Sequence, residues 1–171
     1  MRAQARTESL FNASIPDGAL APIIRAAAVA LAVAVTGAAA QASVRLPFTP
    51  VPFVLTPLAV LLCGAALGSR LGASAQLLYL AAGAAGLPVF APSAELPAGA
   101  LRLLGPTGGY LMAYPVAAFV TGYLAERGWD RRYGTAVAAM LLGLALIFTG
   151  GLSWLTLTVT HSLAASPDTK A

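Results

Sequence analysis

Charge is what this sequence has least of. Only 9% of its 171 residues are charged while 58% are hydrophobic, and the mean hydropathy is +0.80. A soluble domain carries about 25% charged residues, so the chain cannot cover a water-facing surface and reads as an integral membrane protein. Cys63 is the only cysteine and lies inside an apolar run, which excludes a disulfide framework. The one histidine, His161, leaves no ligand set for a metal, and Glu95 stands alone in a loop. Neither a Ser-His-Asp set nor a pair of carboxylates is present, so catalysis finds no residues to carry it and an enzymatic role is not expected.

The charges that remain are informative. The net charge of +4 comes from 10 Lys and Arg against 6 Asp and Glu. Arg2, Arg6, Arg25, Arg70, Arg127, Arg131 and Arg132 flank apolar runs instead of clustering with aromatics. That is a membrane-topology signal, not a nucleic-acid footprint. A cytoplasmic N-terminus puts these seven inside and leaves Arg45 and Arg102 in the outer loops. No cleavable signal peptide is evident, because the first apolar run follows a polar leader and is itself long enough to span.

A spanning helix needs about 20 mostly apolar residues. The runs that qualify are Ile23–Val44, Phe53–Gly68, Leu71–Pro88, Gly108–Ala125 and Thr135–Thr160, the last long enough to tilt or to break at Gly150–Gly151. The expected fold is therefore all-α: one compact bundle of five spanning helices over residues 23–160, with a cytoplasmic leader at 1–22 and a polar tail at 161–171. Strand alternation and internal repeats are absent from the sequence.

Four stretches carry more than hydrophobicity. In "RAAAVALAVAVTGAAA", Ala26, Ala30, Ala34 and Ala38 recur every four residues and line one stripe of a helix. Such a stripe serves close packing within the bundle or docking of another membrane subunit. Thr36 and Gln41 sit near its outer end, placed to face an internal cavity. In "LPFTPVPFVLTPLAV" the prolines preclude helix before Pro52, and Pro57 kinks or begins the second helix. In "QLLYLAAGAAGLPVF", Tyr79 lies beside the gaps left by Gly83 and Gly86, a helix-packing pattern or a flat slot for a ring, with Gln76 one turn away and Phe90 able to cap it. In "GPTGGYLMAYP", Gly105, Gly108 and Gly109 expose backbone amides at a helix start, Thr107 can cap that helix and Tyr110 adds a ring with a hydroxyl. The patch suits a neutral polar ring or a carboxylate at the positive end of a helix dipole, or simply a helix start that packs tightly.

Taken in order, "TPVPFVLTPLAVLLCGAALGSRLG", "LLYLAAGAAGLPVFA" and "LLGPTGGYLMAYPVAAFVTGYLAERG" resemble the BioY family of biotin-binding S components of energy-coupling factor transporters, from about Pro47 to Gly128, with a weaker continuation through "TGGLSWL". The resemblance implies a substrate-capture subunit in the bacterial plasma membrane that binds biotin from outside. It implies partners too: a transmembrane coupling protein that docks on the Ala26, Ala30, Ala34, Ala38 stripe, and an ATPase pair that uses the ATP, this chain holding no cofactor. In such a subunit Tyr79, Phe90 and Tyr110 would wall the biotin rings beside Gly83. The Gly108–Gly109 backbone, Thr107 and Thr56 would supply hydrogen bonds, and Arg45 or Arg102 would meet the carboxylate.

Two departures stand against the family pattern. Val54, Thr56 and Pro57 replace the Thr, Gln and Thr usual there, and the sixth helix expected of an S component is missing or truncated after "HSLAASPDTKA". Asp168 and Lys170 are not given the family's polar roles, and weaker biotin binding than in a six-helix relative is the expectation. Two other readings stay open: the same architecture with another compact vitamin or a biotin precursor as ligand, and a non-transporting remnant or membrane-assembly protein.

Overall fold

A computed structural model describes residues 18–44, 53–92 and 99–164, with side chains as far as residue 158. Pro22 sits in the first turn of helix α1, Ala21–Gln41, where its missing N–H costs nothing. A two-residue antiparallel pair, β1 Ser43–Val44 with β2 Phe53–Val54, follows, a feature the sequence did not signal. Helix α2, Thr56–Leu67, opens with Pro57 in its first turn, so this proline begins the helix and does not kink it. Gly68, at φ +86°, makes the turn into α3, Ser69–Ala84. A single turn, α4 Leu101–Leu104, precedes α5, Gly108–Glu126. A 3-10 turn over Trp129–Arg131 leads to α6, Tyr133–Ala164, which runs unbroken through Gly150 and Gly151.

Among the described residues five long helices therefore form one bundle, as expected of the five apolar runs. Two of them, Ala21–Gln41 and Tyr133–Thr158, are by themselves long and apolar enough to cross a membrane, with mean hydropathies of 2.0 and 2.1. The other three are shorter or carry more polar residues, and α5 is the central helix, packed against α2, α3 and α6. The outside is apolar, as a lipid-facing surface must be: Leu31, Leu62, Leu78, Val116, Leu141 and Leu152 all point outward. The leader and tail expected at 1–22 and 161–171 lie mostly outside the described residues.

Helices approach closely where glycines remove side chains. A Cβ on Gly64 would meet the Ala118 oxygen at 2.5 Å, one on Gly72 the Gly64 Cα at 2.8 Å, and one on Gly122 the Gly68 carbonyl carbon at 2.5 Å. These contacts lock α2, α3 and α5 together by dispersion, the packing force available between helices in a bilayer. The buried core above them is aromatic and aliphatic: Val60, Tyr79, Phe90, Leu111, Tyr114 and Ile147.

Candidate functional site

One end of the bundle gathers the loop between α3 and α4, the last turn of α1 and the start of α5. Phe90 is the pivot of this end. Its ring lies where a Cβ of residue 83 would have to be, so Gly83 is the seat that lets the ring lie flat on α3. Tyr79 stands edge-on to Phe90 with ring centres 5.4 Å apart, and Tyr114 lies 6.5 Å beyond Tyr79. Tyr114 hydrogen-bonds with Thr56, which is 2% exposed at the first turn of α2. The aromatic set thus joins α2, α3 and α5 beneath one loop.

Side chains from three elements hold that loop by its carbonyls. The Gln41 Nε2 donates to the Pro88 and Phe90 oxygens at 3.0 and 3.2 Å, and the Tyr79 hydroxyl donates to the Val89 oxygen at 3.2 Å. Arg102, from the α4 turn, donates to the Ala91 oxygen. Between the loop and α4 opens a cavity of about 180 Å³ lined by Gln41, Leu87, Pro88, Phe90, Pro92 and Arg102. Its walls are mostly apolar, with one amide and one guanidinium converging on them, a composition suited to a compact ring bearing an anion.

The residues singled out from the sequence fall into two groups. Phe90 and Arg102 line the cavity, Tyr79 and Gly83 lie directly under Phe90, and Thr56 is reached through Tyr114. The GPTGGY residues face α6 and α4 instead. Thr107 takes the N-cap position of α5, but its side chain makes no capping hydrogen bond. A Cβ on Gly108 would meet the Leu103 oxygen, and one on Gly109 would meet Trp154 and Gly150, so both are close-packing positions. Tyr110 lies over Gly151 and edge-on to Phe148, 6.0 Å away. The indole of Trp154 donates to the Gly105 oxygen at 3.0 Å and ties the turn to α6. Trp154 and Tyr114 escaped the sequence reading, since an aromatic in an apolar run carries no mark of which neighbour it meets. Arg45, the other arginine considered for a carboxylate, lies outside the described residues, as do Asp168 and Lys170.

The stripe of Ala26, Ala30, Ala34 and Ala38 is exposed along its whole length, whereas Ala32, Thr36, Gly37 and Ala40 form the buried face of α1. A polar link fixes that rotation. The Gln76 Nε2 donates to the Thr36 hydroxyl at 3.2 Å, and Thr36 donates to the Ala32 oxygen at 2.8 Å.

The sequence model of the BioY family matches residues 9–169. The chain belongs to the BioY family. Among its relatives, the probable biotin transporter BioY of Pyrococcus horikoshii is 43% identical over 127 residues, 74% of this chain and 71% of that protein. The biotin transporter BioY of Thermotoga maritima is 39% identical over 109 residues, 64% of this chain and 62% of the relative, so the match spans less than two thirds of that protein. A crystal structure of the S-component for biotin from an ECF-type ABC transporter shares the fold, with a TM-score of 0.73 over 85% of this chain and 78% of that one, at 23% identity. The helical membrane bundle inferred from composition is thereby the fold of that solved S-component, and the transporter names of the relatives agree with a non-enzymatic role.

Proposed function

We propose that the BioY-family chain described here is the substrate-capture subunit of a biotin uptake transporter. The observation that carries this reading is the cavity at the Arg102 end, where a guanidinium and the Gln41 amide meet apolar walls above the edge-on Phe90 and Tyr79 rings. Biotin combines a compact apolar bicycle, a ureido group and a carboxylate on a flexible tail. The bicycle enters against Phe90, which Tyr79 backs from below, the ureido group bonds with the Gln41 amide, and the carboxylate meets Arg102. The names of the Pyrococcus and Thermotoga relatives support the choice of ligand.

The same reading gives the chain its partners and orientation. The exposed alanine stripe of α1 is the face on which a transmembrane coupling protein docks, and an ATPase pair beyond it supplies the energy. The arginine excess at the Arg70, Arg127, Arg131 and Arg132 end supports a cytoplasmic position for that end and the N-terminus, with the cavity on the outer face of the plasma membrane.

The test is equilibrium binding of labelled biotin to the purified chain in nanodiscs with unlabelled biotin as competitor. Saturable, competable binding is the expected result. A monodisperse, helical sample that binds no biotin overturns the proposal.

A further inference from the structure

The opposite end of the bundle holds a second cavity, of about 160 Å³, lined by Ala65, Thr121, Ala125, Asp130, Ala139 and Met140 among others. Its walls are apolar, yet two buried polar atoms in it have no hydrogen-bond partner: the Thr121 Oγ1 and the Asp130 Oδ1. Thr121 is 1% exposed, so water at the surface does not serve its hydroxyl. The other carboxylate at this end, Glu126, is fully engaged, accepting from the Ser69 amide at 2.8 Å and from the Ser69 hydroxyl at 3.1 and 2.9 Å. A buried carboxylate oxygen without a donor is costly, and the group that best satisfies a carboxylate and a hydroxyl together is a compact cation with several N–H donors.

What surrounds the cavity narrows the choice. Arg131 and Arg132 follow Asp130 directly and are exposed, and Arg127 lies 4.3 Å from the Tyr123 ring centre. Trp129 and the outward Tyr133, at 88% exposure, flank them. Exposed aromatics among arginines mark the level of lipid headgroups. A ligand at that level must offer an ammonium to Asp130 and Thr121, an anion to the adjacent arginines and apolar chains to the alanine and methionine walls.

We propose that this cavity is a binding site for an aminophospholipid headgroup. The primary ammonium of phosphatidylethanolamine donates to the Asp130 carboxylate and the Thr121 hydroxyl, and its phosphodiester lies against Arg131 and Arg132. A quaternary choline headgroup has the same charge but no N–H to donate, so the site discriminates between the two.

Native mass spectrometry of the intact chain with phosphatidylethanolamine, phosphatidylcholine and phosphatidylglycerol of matched acyl chains tests this. Phosphatidylethanolamine is expected to bind about tenfold or more tighter than phosphatidylcholine, as the loss of a charge-assisted hydrogen bond implies. Asp130→Asn should abolish that preference, and Thr121→Val, which keeps the shape, should reduce it. Arg131→Gln with Arg132→Gln should weaken both phospholipids together, with labelled-biotin binding unchanged in all variants. Equal binding of phosphatidylethanolamine and phosphatidylcholine to the unaltered chain overturns the proposal. So does a preference for phosphatidylglycerol that depends only on the arginines. A third overturning result is an Asp130→Asn chain that keeps its lipid preference but no longer assembles with its transporter partners, which would make the cavity a socket for a partner's lysine or arginine.

Discussion

Gly83 and Arg102 are the two positions where a small change should speak most directly about ligand capture. A methyl at residue 83 falls within the Phe90 ring, and so close a clash is relieved only by moving the ring off α3. Overpacking of this kind costs about 1–3 kcal/mol. Gly83→Ala is therefore expected to weaken biotin binding by about tenfold or more, since 1.4 kcal/mol is a factor of ten, while leaving the helical circular dichroism intact. Unaltered affinity in a titration calorimeter would mean that Phe90 does not cover the ligand. Arg102 is tested by a different comparison. The unaltered chain should prefer biotin over its methyl ester by about tenfold or more, as a charge-assisted hydrogen bond is worth about 1.5–3 kcal/mol. Arg102→Gln should bind acid and ester alike. A preference that survives the substitution assigns the carboxylate to some other group.

The helices were the most legible part of the sequence, and their mutual rotation the least. Long apolar runs bounded by Pro, Gly and Arg placed all five long helices, while Pro57, which the sequence left open between a kink and a start, begins its helix because the first turn tolerates a missing N–H. A helix that is apolar all round has no polar face, however, so its pattern does not say which side meets a neighbour. That is why Phe90 and Gly83 were recognisable as ring and gap, but Trp154 as the anchor of Gly105 was not. It is also why the glycines of GPTGGY read equally well as exposed amides or as packing surfaces, with Gly108 and Gly109 found against Leu103 and Trp154. The packing between helices yields its own prediction. A Cβ on Gly122 would lie 2.5 Å from both the Gly68 carbonyl carbon and the Ser69 nitrogen, atoms of backbone that cannot swing aside. Gly122→Ala should lower the thermal unfolding midpoint in detergent by several degrees. Glu126→Ala, which removes the acceptor of the first α3 amide and of the Ser69 hydroxyl, should cost about 1–2 kcal/mol, as the loss of a helix cap does.

Taken together, the two ends of the bundle and one side of it do different things. The Arg102 end presents an amide, a guanidinium and aromatics around a small opening, the Arg127 end presents arginines and tyrosines around an apolar cavity holding Asp130, and α1 turns an alanine-lined side outward. Alanines spaced by four residues let a partner helix approach to backbone distance, and the Gln76–Thr36 hydrogen bond keeps that stripe facing out. Capture and uptake should then be separable within one molecule. Ala30→Leu combined with Ala34→Leu adds bulk only on the exposed stripe, away from Phe90 and Arg102. The double variant is expected to bind labelled biotin with unchanged affinity in nanodiscs. Co-expressed with the coupling protein and ATPases, it should fail to co-purify with them and should lose ATP-dependent biotin accumulation in cells. A double variant that assembles and transports normally would place the docking face elsewhere, and one that loses biotin binding as well would show that the stripe supports the bundle itself.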